Sequence, residues 1–210
     1  YDPIKERLGK VFNKKPALRR LFYILLDILL LRSWHVHKAI RHLFPDTKDN
    51  IRILDAGMGF GQYTWWMAKR YSGADITAAD IKSEQVADCN RFFSQCNISG
   101  RVKAIEADLT TLSGNNGYNL VLCVDVMEHI TEDTTVFSNF NASLAQGGTL
   151  VISTPSDKGG SDVHGDDDTS FIGEHVRDGY SIDDITSKLE KNGFSDIRAS
   201  YTYGLPGSIA

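Results

Sequence analysis

Cysteine is scarce in this chain: only Cys89, Cys96 and Cys123 are present, and no two are spaced CxxC. An odd count without paired spacing argues against a disulfide framework. The expectation is free, mostly buried thiols of a reducing cytoplasm. A membrane-spanning run is also missing. The apolar stretch Leu21–Leu31 has 11 residues, about 16 Å as helix against the ~30 Å of a bilayer core. It cannot span. No secretory leader is visible in these residues, and there is no internal repeat or low-complexity segment. Aromatic and basic residues are not interleaved, which sets aside nucleic-acid binding. Tyr1 is not a natural start, so at least one residue is expected to precede it.

What is present is 210 residues of ordinary globular composition, 41% hydrophobic and 24% charged, enough for one domain with a full core. The net charge of −4 hides a division. Residues 1–50 carry 11 Lys and Arg against 5 acids (+6), and residues 51–210 carry 12 against 22 (−10). A basic arm, residues 1–49, therefore precedes an acidic body, residues 50–210. Pro16 suits a helix first turn, and Ala17–Leu31 reads as a helix apolar most of the way round. Two readings stay open for it: a cover packed on the body, or contact with a membrane surface helped by Lys14, Lys15, Arg19, Arg20 and Arg32. Trp34–Leu43 reads as a second short helix.

From Asn50 onward, strands and helices alternate. The expected strands are Ile51–Ala56, Ala74–Ala79, Val102–Glu106, Leu120–Val124 and Thr149–Thr154, with Gly147–Gly148 turning into the last. Helices are expected near Gln62–Tyr71, from a Ser83 cap to Cys96, over Thr131–Leu144, and over Ser181–Asn192 with Gly193 as its stop. A further strand is expected over Ser195–Tyr201. This order predicts an α/β, Rossmann-like, mostly parallel sheet with helices on both faces. The irregular segment 155–180 is the expected substrate loop. Trp65 and Trp66 read as core or arm-packing residues.

The stretch Asp55–Gly61 ends the first strand in a turn with glycine at positions 57, 59 and 61. Glycines there let a ligand approach the backbone. A dinucleotide fingerprint, G-x-G-x-x-G/A, would need Gly or Ala where Gln62 stands, and Asp55 would be a poor neighbour for a pyrophosphate. An acid there suits a cationic or amino-bearing ligand. Asp80 ends the second strand, where a carboxylate can accept from both hydroxyls of a ribose, and Asp108 follows the third. Carboxylates at successive strand ends share the ligand-binding edge of such a sheet.

The segments ILDAGMGFG, AADIKSEQV, IEADLTTL, LVLCVDVMEHI and GGTLVIST, in this order, resemble the motifs of class I S-adenosylmethionine-dependent methyltransferases. The resemblance covers about Asn50–Tyr201. It implies that Asp55, Ala56 and the turn Gly57, Gly59, Gly61 lie near the methionine part of S-adenosylmethionine. Asp80 would hold the ribose, Ile81 would lie against the adenine, Asp108 and Leu109 would meet the adenine edge, and Asp125 would line the methionine side. The reaction implied is methyl transfer to oxygen, nitrogen or carbon of a small-molecule or lipid-like acceptor, leaving S-adenosylhomocysteine.

Asp125-Val126-Met127-Glu128-His129 is similar to the (D/E)xxEH motif of ubiquinone-type methyltransferases, where that pattern is associated with a divalent metal. Asp125, Glu128 and His129 could supply such ligands; the reading preferred over that one is that no metal binds, Glu128 caps a helix and His129 packs under the cofactor. His129 is the leading general-base candidate by position, and His175 a second one from the loop. Oligomeric state is not legible. The protein is expected in the cytoplasm or peripheral to the inner face of a membrane. The family's seventh strand has no counterpart before Ala210, so it belongs to a longer C-terminal region or the sheet is short at that edge. Alternative functions are a non-catalytic S-adenosylmethionine-binding protein and a nicotinamide-dependent oxidoreductase.

Overall fold

Strand β1 (Arg52–Ala56) divides the core by simple alternation. Ile53 points to one side of the sheet and Leu54 to the other, both fully buried. The same alternation runs along β4 (Tyr118–Val124), where Leu120 and Leu122 join Ile53 while Val121 and Cys123 join Leu54. A computed structural model describes residues 15–48, 50–112, 117–158, 176–177 and 179–202. Beside β1 and β4 it contains β2 (Asp75–Asp80), β3 (Val102–Glu106) and β5 (Leu144–Ser153). The order is β3-β2-β1-β4-β5, and every strand pair is parallel. Strand order reverses between β1 and β4, the position at whose carboxyl ends open α/β sheets bind their ligands.

One face carries α1 (Pro16–Leu29), α2 (Leu31–Leu43), α3 (Gln62–Arg70) and α4 (Ser83–Gln95). The other carries α5 (Asp133–Ser143) and α6 (Ile182–Lys191). The expected arm helix breaks at Leu30, whose extended backbone separates α1 from α2. The arm does pack on the body. His37 of α2 stacks flat on Trp66 of α3, ring centroids 3.9 Å apart. The Tyr23 phenol of α1 donates to Phe60 O. All three cysteines are free thiols, Cys89 and Cys123 buried.

Four expectations need correction. Ser83 does not cap α4, since the preceding Lys82 is the cap residue and its N–H is held instead by Asp80 Oδ1 at 2.9 Å. Strand β5 starts at Leu144, not Thr149. Gly147 (φ +76°) and Gly148 form a bulge inside the strand, where the register against β4 shifts; a Cβ on Gly148 would meet Tyr118 O at 2.6 Å. Helix α5 starts at Asp133 instead of Thr131. Residues 195–201 form no strand, because Asp196 stands at φ +53° and, among the described residues, no neighbouring strand supplies a ladder. Ser181 does cap α6 as expected, accepting from Asp184 N at 3.0 Å, and Gly193 ends it at φ +86°.

Candidate active site

The glycine turn is pinned to the end of the neighbouring strand. Gly57 N–H and Met58 N–H both donate to Ala79 O, at 2.8 and 3.0 Å. Gly59 N–H donates to Asp80 Oδ2 at 2.9 Å. Gly57, Gly59 and Gly61 all lie at positive φ (+78°, +52° and +75°), a backbone region costly to other residues. Added Cβ atoms would fare differently. On Gly57 it would overlap Val126 Cγ2 at 2.2 Å, and on Gly61 it would meet Cys89 Sγ at 3.1 Å, but over Gly59 it meets nothing within 4 Å. The turn therefore presents bare backbone to open space at Gly59.

Asp80 is almost buried and gives one oxygen to Gly59 and the other to Lys82 N–H. Each carboxylate oxygen keeps a lone pair for a further donor. Beside it Ile81 is 65% exposed, an apolar side chain free to cover a flat ring. Asp108 is exposed; its Oδ1 accepts from Thr110 N–H (2.8 Å) and Thr110 Oγ1 (2.7 Å). Those two bonds hold its carboxyl below the ordinary range. Leu109 is a core residue by its side chain, and its carbonyl accepts from Asn139 Nδ2.

Asp55 and Ala56 are buried within β1. Asp55 Oδ2 accepts from Thr64 Oγ1 at 2.5 Å. Burial pushes the Asp55 carboxyl up to about 6, against the counter-effect of the Thr64 bond. Its folded value thus lies above the unfolded one. Between about pH 4 and about pH 6 the folded protein holds a proton that the unfolded chain has released, so this group lowers stability as pH rises through that window. Asp55→Asn keeps an acceptor for Thr64 and removes the buried charge. Thermal unfolding is expected to show the variant more stable at neutral pH, by on the order of 2–3 kcal/mol, with the difference vanishing near pH 4.

Asp125 follows β4 in a left-handed conformation (φ +53°) and forms an ion pair with Arg32 of α2. The arm thus reaches the carboxyl edge of the sheet. Tyr63 and Ser33 meet beside that pair at 3.3 Å, and Gln62 Nε2 donates to Asp27 Oδ1 at 2.6 Å and to Ser33 Oγ at 3.0 Å. Arg32 was legible only as one more arm cation; no local spacing reveals a partner 93 residues away.

After Asp125 comes a short 3-10 turn, Met127–His129. Glu128 is buried and accepts from Thr154 Oγ1 at 3.2 Å, with burial raising its carboxyl above the ordinary value. His129 is exposed at the turn's end. Among the described residues, no three His, Cys, Asp or Glu side chains are grouped to hold a metal ion. His175 lies outside the described residues, as does most of the expected substrate loop. The loop's ends do meet: Tyr180 N–H donates to Pro155 O and Asp157 N–H to Tyr180 O. Val176 N–H donates to Glu128 O at 3.0 Å, which sets this junction beside the His129 turn.

Residues 53–148 match the family described as "Methyltransferase domain". A ubiquinone biosynthesis O-methyltransferase of Psychrobacter cryohalolentis is 29% identical over 107 residues, covering 49% of this chain and 40% of that protein. One of Xanthomonas campestris pv. campestris is 30% identical over 105 residues, covering 49% and 42%. The matched region is thus under half the length of these curated relatives. Among solved structures, the cyclase SpnF superposes with TM-score 0.62 at 19% identity, covering 77% of this chain and 57% of that one. A phosphoethanolamine N-methyltransferase 2 of Haemonchus contortus in complex with S-adenosyl-L-methionine gives 0.62 at 20%, covering 78% and 37%. At such identities the likeness is one of fold.

Proposed function

For a chain that belongs to the class I S-adenosylmethionine-dependent methyltransferases, we propose methyl transfer to a small-molecule or lipid-like acceptor. The observation that carries this reading is the glycine turn tied to Asp80, with open space over Gly59. S-adenosylmethionine would supply an activated methyl group on a sulfonium sulfur. Asp80 would take the ribose hydroxyls with its remaining lone pairs and Ile81 would cover the adenine. Asp108 would offer its free oxygen to the adenine edge. Arg32 and Asp125, an ion pair across the arm and body, match the carboxylate and ammonium of an amino acid moiety. Asp55, behind the turn, adds negative potential that favours a cationic ligand.

His129 is the proposed base, exposed at the carboxyl edge where an acceptor would enter. The arm, residues 1–49, and the body, residues 50–210, form the proposed division, with 155–180 contributing the acceptor pocket. No helix among the described residues is long and apolar enough to cross a membrane. The proposed location is peripheral, at the inner face of a membrane, with the arm as contact.

The test is transfer of labelled methyl from S-adenosylmethionine into extracted small-molecule and lipid pools, with Gly59→Ala as control. That Cβ enters open space and costs about 1 kcal/mol of backbone strain, so the fold survives. Transfer is expected to fall at least about tenfold, because the methyl occupies the ligand's approach. Gly57→Ala should instead lower the unfolding temperature, through its clash with Val126. Cofactor binding without any transfer would favour the non-catalytic alternative.

A further inference from the structure

Helix α1 is built inside out. Its inward side carries Arg19 and Tyr23 as well as Phe22. Arg19 is bonded to Phe60 O (2.8 Å), Asp88 O (3.1 Å) and Cys89 Sγ (3.0 Å). The polar atoms are thus spent on the body, and the aliphatic side chains face out. Ile28 is 72% and Leu29 73% exposed; Leu31 and Trp34 of α2 continue the face at 53% each. Leu21, Ile24 and Leu25 complete it one and two turns earlier. An outward face this apolar is an interaction surface.

The charge around it selects the occupant. Between Lys15 and Leu43 there are six Lys and Arg and one acid, Asp27. Asp27 is half-buried and engaged by Gln62. The exposed charges of these helices are Lys15, Arg20, Lys38 and Arg41, all positive. An isologous contact with a second copy would bring these cations together. An anionic lipid surface would neutralise them while taking up the aliphatic side chains. An open hollow of about 390 Å³ at the α1–α2 kink is lined by Ile28, Leu30, Leu31 and Trp34 beside Asp27, and continues this face.

We propose that α1 and the start of α2 dock this protein on an anionic phospholipid surface, with Leu21, Ile24, Leu25, Ile28, Leu31 and Trp34 immersed. The proposal deepens the peripheral-membrane reading above but does not need catalysis, since docking can be measured without cofactor. The experiment is cosedimentation of the full chain with phosphatidylcholine vesicles, with and without phosphatidylglycerol. Binding is expected with phosphatidylglycerol and not with phosphatidylcholine alone. The triple variant Leu21→Ser/Ile24→Ser/Ile28→Ser is expected to lose at least about tenfold in vesicle affinity, as is Arg20→Glu/Lys38→Glu. Thermal unfolding and S-adenosylhomocysteine binding of both variants should match the wild type. Those readouts separate failure of docking from failure of the methyltransferase reading. No vesicle binding, equal binding to both vesicle types, or an unaffected triple variant would overturn the proposal. So would a concentration-dependent dimer that the triple variant dissociates, which would assign the face to a second copy.

Discussion

Asp80→Ala is expected to weaken S-adenosylhomocysteine binding by about a hundredfold or more, the largest effect of any single site substitution here. Two losses combine. The proposed acceptor for the ribose hydroxyls disappears, and so does the carboxylate that fixes Gly59 N–H and Lys82 N–H. Without those bonds Gly59 N–H loses its anchor, while the ties of the turn to Ala79 O and of the arm to Phe60 O remain. Asp80→Asn is informative because its shape is conserved. Both carboxylate oxygens accept from backbone N–H groups, and an amide can present only one oxygen. Its NH2 must then face a donor. An intermediate loss, about tenfold, is expected by titration calorimetry. An unchanged affinity in Asp80→Ala would place the ligand elsewhere.

Asp133→Ala is expected to cost about 3–5 kcal/mol of stability, or about 10 °C in unfolding temperature for a chain of this size. Asp133 is buried at the start of α5, and its Oδ2 collects three donors. Tyr180 Oη lies at 2.8 Å and Lys188 Nζ at 2.7 Å, and the Arg177 guanidinium also donates. Removing the carboxylate would take away the acceptor the three share, leaving Lys188 to Asp184 at 3.3 Å, Arg177 to the carbonyls of Ile130 and Thr131, and Tyr180 to Met127 O at 3.3 Å. Burial alone would push this carboxyl up. The Lys188 and Tyr180 bonds and the Arg177 charge outweigh it and hold the group below the ordinary range. A folded value below the unfolded one means the stabilisation is present at neutral pH and lost as acid protonates the group. Because Tyr180 and Val176 border the Glu128–His129 turn, the same substitution is expected to impair acceptor turnover more than cofactor binding.

The sheet and the carboxylates at its carboxyl edge were legible because their signals are local. Period-two apolar runs mark strands, and the acids at positions 55, 80, 108 and 125 each lie at or just past the carboxyl end of one. What joins distant segments was not legible. Arg32 meets Asp125 only because α2 lies along the sheet, and the Asp133 cluster draws on α5, α6 and the end of the loop. The inverted arm shows the limit of pattern reading. Its composition indicated a helix apolar on more than one side, but not that Arg19 would turn inward, which depends on the carbonyls of Phe60 and Asp88. The 195–201 strand failed for a related reason. Alternation in one segment cannot supply the partner that a ladder requires.

The turn Gly57–Gly61 with Asp80 is proposed to receive S-adenosylmethionine and not a nicotinamide dinucleotide. Calorimetric titration of the wild-type chain with S-adenosylhomocysteine, alongside NADH, tests it most directly. Saturable one-to-one binding of S-adenosylhomocysteine is expected, with no heat of binding from NADH. Saturable binding of NADH, with none of S-adenosylhomocysteine, would contradict it.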